Sequence, residues 1–259
     1  MHPILLRTEG FTLYTYTVLL DVGLVCGLVL TWLEGKRLWN HPHHALDAAF
    51  YALGAGILGA RAGYVLANWP YFAGHLSDAA QLWEGGLSWY GGFLGGLVAL
   101  IVYTAWPHQK PRPSFWPLAD ALTPGLMLGM ACGWLACWMA GCAYGAPASG
   151  WAWLVWDLPD VYGVRDLRFA TQVLGAALST VAFAFSWTAR RRWPGPGFSF
   201  LAGLILMGST GYLLELTRGD DTLYWGSWRA GQWLSLVMAV AGAGLLAWRW
   251  VRHRRAHRY

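Results

Sequence analysis

The chain has 259 residues, 56% of them hydrophobic and only 12% charged, with 19 tryptophans and 33 glycines. A soluble domain is about 25% charged, and tryptophan and glycine both suit bilayer-spanning segments, so a soluble globular protein is excluded and an integral membrane protein is implied. The net charge of +5 accompanies nothing like a nucleic-acid module, so no nucleic-acid partner is expected.

The opening MHPILLRTEGFT lacks the short basic start and small-residue cleavage site of a secretory signal, so the first hydrophobic segment reads as a retained helix. A spanning helix needs roughly 20 mostly apolar residues. Seven segments satisfy this, at about 13–33, 46–69, 88–106, 117–139, 170–189, 197–216 and 230–250. The expected fold is all-α: one polytopic membrane domain over 1–259 with seven transmembrane helices.

Lys36, Arg37, Lys110, Arg112, Arg190, Arg191, Arg192, Arg252, Arg254, Arg255 and Arg258 fall on one side, eleven of the 18 basic residues. The positive-inside rule then places the amino terminus outside and the carboxyl tail in the cytoplasm. The tail RHRRAHRY reads as a topology determinant and headgroup anchor, with specific recognition of an anionic lipid as the other reading.

Polar residues inside apolar runs carry the chemical information. An arginine near the centre of a span costs roughly 2.5–3.5 kcal/mol, so it faces a cavity or a partner. Arg61, in GAGILGARAGYVLANW, is the clearest case, with Tyr64 and Asn68 on roughly its face. It reads either as paired with Asp21, Asp120 or a headgroup, or as an anion site. In LLELTRGDDTLYWG, residues 213–226, Glu215 and Arg218 are spaced to pair on one helical face, and an ordinary capped helix end is the plainer reading. In WEGGLSWYGGFLGG, residues 83–96, small-residue helix packing is preferred over close approach of a ligand to backbone. Topology brings Tyr16, Arg61 to Asn68, Tyr90, Cys137 to Gly145 and Arg218 to one leaflet, which suggests an outer-face cavity for an anionic headgroup, with two arginines for a phosphate.

The cysteines are Cys26, Cys132, Cys137 and Cys142, which make no disulfide-dense pattern. Within CGWLACWMAGCAYG, residues 132–145, the spacing of five turns successive side chains about 140° apart on a helix. They cannot share a face as ligands, no histidine lies nearby, and no metal site is expected. Each reads as a small buried hydrophobe.

These segments together resemble the prolipoprotein diacylglyceryl transferases of bacterial inner membranes. The family's first-helix tyrosine corresponds to Tyr16 in LYTYTVLLDVG. Its "GaRxgYv" segment is similar to GARAGYV with Arg61 in register, and its "GGxSfHGG" to GGLSWYGG. The run before its signature resembles LADALTPGLMLG, and its "fRxdd…GQwlSlpm" ending TRGDDTLYWGSWRAGQWLSLVM. The resemblance covers nearly the whole chain. It implies transfer of the diacylglyceryl group of phosphatidylglycerol to the lipobox cysteine thiol of a preprolipoprotein, with release of glycerol phosphate and no cofactor. The implied location is the bacterial inner membrane, multi-pass, among membrane lipid. Tyr16 and Tyr90 are then expected at the reaction, and Arg61, Arg218 and Asn68 at the phosphatidylglycerol.

The chain departs from the family at its signature, approximately G-R-x-G-N-F-x-N-G-E-x-x-G. Only Gly133, Gly141 and Gly145 match. The arginine falls on Trp134, the asparagine on Cys137 and the acid on Cys142, where Cys142 keeps a chance of a role. The histidine of "HGG" is Tyr90, and "HPtqLYE" falls on Phe169 to Gly175. Two alternatives follow: a non-catalytic relative that binds lipid or a partner, and a transferase with a different acceptor.

Overall fold

The computed structural model describes residues 4–39, 42–106, 114–150, 153–193 and 195–256. Lys110, Arg112 and Arg258, part of the charge asymmetry, lie outside them. A hairpin, β1 (Ile4–Arg7) with β2 (Thr12–Tyr14), leads into α1 (Thr15–Leu38) and α2 (His43–Ala67). A short α3 (Trp69–Phe72) and two 3-10 turns precede α4 (Trp89–Ala105) and α5 (Phe115–Ala140). A second hairpin joins β3 (Val155–Pro159) to β4 (Arg165–Phe169), followed by α6 (Thr171–Ala189) and α7 (Phe198–Glu215). The third, β5 (Tyr224–Trp225) with β6 (Trp228–Arg229), opens α8 (Ala230–Ala256).

Six of these helices, α1, α2, α5, α6, α7 and α8, are long and apolar enough to cross a membrane, with mean hydropathy between 1.3 and 1.9. The seventh apolar helix, α4, has 17 residues. Their outward side chains are apolar: Leu66 is 71% exposed and Val181 64%. That is the surface a lipid solvent requires, because backbone polar groups are satisfied inside the helices.

The described chain divides into two compact units, Thr31–Leu122 and the remainder, with the boundary running through α1 and α5. In the first, α2 and α4 pack antiparallel on glycine. A Cβ on Gly59 would meet the Gly91 carbonyl and the Gly95 Cα, and one on Gly63 would meet the Gly91 Cα. Small residues four apart let two backbones touch where side chains would hold them off. Ser88 caps α4 by accepting from Gly91 N–H at 3.3 Å and donates its own N–H to the Ala60 carbonyl. The GGLSWYGG segment is thus used in tight helix packing.

In the second unit α7 packs antiparallel on α8, with Gly208 against Ser235 and Ala239 and Gly242 against Ile205 and Leu201. The amino-terminal part of α1 meets α5 the same way, Gly23 at Cys132 and Gly27 at Gly125. The core of this unit includes Met127, Phe198 and Leu201, together with the polar Thr171, Gln172 and Ser235.

Candidate active site

The signature segment sits where α5 ends. Gly141 takes φ +80, a left-handed conformation that glycine adopts without cost, and its N–H closes on the Cys137 carbonyl at 2.8 Å. The chain leaves the helix there, and Cys142 folds back onto Cys137 to form a disulfide with Cα atoms 4.8 Å apart. This corrects the reading of Cys137 and Cys142 as separate packing residues. The 140° separation holds only on a continuous helix, and the helix stops at Ala140. Cys26 and Cys132 are not in a disulfide.

Beyond the turn, residues 144–148 run as an extended strip between two other segments. Gly219 N–H donates to the Tyr144 carbonyl, Ala146 N–H to Thr217, and Phe169 N–H to Ala146. Gly145 and Arg218 form an antiparallel bridge, as do Pro147 and Arg168. A Cβ on Gly145 would run into the Phe169 carbonyl, so a glycine is needed here. Gly133 has open space around it.

Arg218 is held by two acids. It donates to Glu215 Oε1 at 2.9 Å and, with two nitrogens, to the carboxylate of Asp220. Arg229 completes the set, with Nε 2.7 Å from Glu215 Oε2 and Nη2 3.0 Å from Asp220 Oδ1. Glu215 and Arg229 are buried, whereas the Arg218 side chain is 25% exposed. The four charges cancel, which is what burial in a low-dielectric site demands. The Glu215–Arg218 pair expected from their spacing is present. Arg229 was missed as a partner, although Glu215 and Asp220 against Arg218 alone leave one negative charge unmatched nearby.

A third arginine lies on the strip's other side. Arg168 is buried, donates to Asp160 at 3.2 Å, and stands over the Tyr144 ring at 5.1 Å. Burial, then Asp221, Asp160 and Asp220, push the Tyr144 hydroxyl above its ordinary value, against lowering by Arg168, so it stays a neutral donor. Gln172, fully buried, donates to the Cys142 carbonyl at 3.0 Å. Gln172 Oε1, Arg168 Nε and Trp138 Nε1 are buried with no hydrogen-bond partner among the described residues.

Trp134, in the place of the family's arginine, lies against Gly175, in the place of the acid that ends "HPtqLYE"; a Cβ on Gly175 would enter the indole ring. Indole over glycine replaces charge with packing at these two positions. Tyr16 is in the first turn of α1 and 37% exposed.

Arg61, Asn68 and Tyr90 belong to the unit Thr31–Leu122. The buried Arg61 guanidinium donates to four main-chain carbonyls, those of Asp78, Ala79, Gly85 and Gly86, and so closes the loop that follows α3. Tyr64 packs its ring against Gly86, which has φ +70. Asn68 caps α2, donating to the Tyr64 carbonyl at 2.9 Å. Tyr90 is half-buried in the first turn of α4. No cluster of three metal-binding side chains occurs among the described residues.

The prolipoprotein diacylglyceryl transferase family model matches residues 3–248. A protein of Bacillus licheniformis called phosphatidylglycerol–prolipoprotein diacylglyceryl transferase is 28% identical over 264 residues, covering 100% of this chain and 96% of its own. Proteins of the same name from Geobacillus kaustophilus and Paraburkholderia phymatum are 30% and 33% identical, covering 93% and 98% of this chain and 90% and 95% of their own. With nearly its full length matched in this way, the chain belongs to the prolipoprotein diacylglyceryl transferase family.

Proposed function

We propose that this protein transfers the diacylglyceryl group of phosphatidylglycerol to the lipobox cysteine thiol of a preprolipoprotein at the bacterial inner membrane. The observation that carries the reading is Arg218. It is partly exposed, is oriented by Glu215 and Asp220, and is bridged through its own backbone to Gly145 of the signature. The substrate sulfur attacks the glycerol methylene carbon; the S–C bond forms as the C–O bond to phosphate breaks, and the electron pair leaves on glycerol phosphate. The thiol proton ends on the departing phosphate. Such a step needs positive charge where the phosphate charge develops, and a planar guanidinium suits two phosphate oxygens at once.

Arg218 takes the phosphate by exchanging its Asp220 contact for it, while Arg229 keeps its bonds to both acids. The orphaned Gln172 Oε1, Arg168 Nε and Trp138 Nε1 mark polar demand that a substrate peptide or glycerol hydroxyl meets, since buried polar atoms seldom stay unsatisfied. Tyr16 supplies a hydrogen bond to the reacting groups. Arg61 holds the 78–86 loop, and Asn68 fixes the end of α2 beside it; an approaching phosphate would compete with the loop carbonyls for Arg61.

A second reading, a lipid-binding relative without the reaction, is favoured by Trp134 against Gly175 and by the disulfide at the signature's asparagine and acid positions. The two separate on activity. Purified protein mixed with phosphatidylglycerol and a lipobox peptide is expected to form the thioether, and expression is expected to rescue cells depleted of their own transferase. Arg218→Ala is expected to lower transfer at least 100-fold. Absence of thioether from well-folded wild type sinks the transferase reading. Equal phosphatidylglycerol binding by wild type and Arg218→Ala sinks the phosphate assignment.

A further inference from the structure

The end of the α7–α8 pair remote from Glu215 carries a second feature. A cleft of about 300 Å³ is lined by Pro196, Phe198, Trp248, Arg249, Arg252 and His253. Phe198 is 2% exposed and is flanked by the rings of Trp193, Trp250 and His253, centroids 5.9 to 6.3 Å away. Arg249 Nη2 donates to the Pro196 carbonyl at 2.6 Å, tying α8 to the segment before α7. The guanidinium of Arg252 lies over the Trp248 ring at 4.1 Å. Stacking holds an arginine flat while leaving its in-plane N–H groups for an oxyanion at the edge.

The sequence has no acidic residue from 167 to 214 or from 222 to 259, so the stretches that line the cleft contain no carboxylate side chain. Alongside the cleft Trp248, Trp250 and Val251 are 40% to 49% exposed, an apolar border beside a cationic centre. Trp193 Nε1, next to Phe198, is buried without an acceptor among the described residues.

We propose that this cleft binds the phosphodiester headgroup of an anionic phospholipid, with Arg252 on the phosphate and the exposed tryptophan border along the first acyl carbons. The volume is at the lower limit of ligand sites, about 300 Å³, and admits a headgroup with its chains left outside. The apolar border selects a lipid over a soluble phosphate ester, and basic pockets at helix ends are where headgroups dock. This site is distinct from the one at Arg218: Phe198 and Glu215 are the two ends of α7, about 26 Å apart at 1.5 Å per residue. It is a resident-lipid site and not the donor site, so it rests only on the chain's lying in a bilayer.

The test uses phosphatidylserine, an anionic phosphodiester lipid, titrated onto the detergent-purified full chain and counted by native mass spectrometry, with phosphatidylcholine as the neutral control. Arg252→Gln is expected to weaken the tightest phosphatidylserine adduct about tenfold, with an unchanged thermal midpoint in neutral lipid and transfer activity retained. Arg191→Gln, equal in charge change, is expected to leave that adduct in place. Equal weakening by both variants would show general surface attraction and overturn the site, as would no effect of Arg252→Gln. Displacement of the adduct by glycerol phosphate at equal concentration would reassign the cleft to soluble phosphate esters and overturn the lipid proposal.

Discussion

Two charged side chains in the same network separate stability from activity. Arg229 is buried and serves both Glu215 and Asp220, so Arg229→Met leaves Arg218 alone against two carboxylates, with one negative charge unmatched in a low-dielectric site. Removing one partner of a buried ion pair costs about 3–5 kcal/mol, and a matching fall in the thermal midpoint is expected. Arg218 is a quarter exposed, so Arg218→Ala is expected to cost less stability while lowering transfer at least 100-fold. Equal midpoint losses in the two variants would remove the distinction between a supporting and a substrate-facing arginine. Trp134 poses the converse test. Gly175→Ala drives a methyl into the indole and is expected to cost about 1–3 kcal/mol, the usual cost of overpacking. Trp134→Ala in the same chain is expected to relieve much of that, a coupling that a double-mutant cycle reads directly. Additive losses would mean that the two positions do not share the space.

At the scale of elements, the turn that ends α5 is held covalently. A disulfide closing so short a loop contributes about 2 kcal/mol. Reductant is expected to lower the wild-type midpoint to that of Cys142→Ser and to leave the variant's unchanged. A variant midpoint that still falls with reductant would place the sensitivity elsewhere. The helices themselves were legible: the apolar run at 170–189 is α6, Thr171–Ala189, and the run at 230–250 is α8 up to its basic last turns. Length and hydropathy are properties of one segment, so one segment reveals them. The three hairpins were not read, because strands of two to five residues have too little alternation to register and draw their partners from tertiary context. The disulfide was hidden for a related reason: cysteine spacing was projected on a helix that Gly141 terminates. In the candidate site, Glu215 with Arg218 was legible as a local spacing. Arg229 reaches Glu215 from 14 residues away, Gln172 reaches Cys142 from 30, and only the fold brings either pair together.

For the whole molecule, two independent arguments give the same orientation, which we infer to be amino terminus outside and carboxyl tail in the cytoplasm. The first is charge. Arg190, Arg191, Arg192, Arg252, Arg254 and Arg255 gather where α6 and α8 end and before α7 begins, and basic loops stay on the cytoplasmic side. The second is redox chemistry. The Cys137–Cys142 disulfide lies at the end of α5, where the following strip bridges to Arg218 at the far end of α7. Disulfides persist outside the reducing cytosol. Disulfide and basic cluster thus occupy opposite ends of α7, as a span with one end in each compartment requires. In spheroplasts treated with an impermeant reductant, a membrane-impermeant maleimide is expected to label Cys137 and Cys142 without lysis. An epitope appended after Tyr259 is expected to be reached by protease only after lysis. Protection of the cysteines together with cleavage of the epitope in intact spheroplasts would invert the topology, and would move the proposed transfer site and the proposed headgroup cleft to opposite leaflets from those assigned.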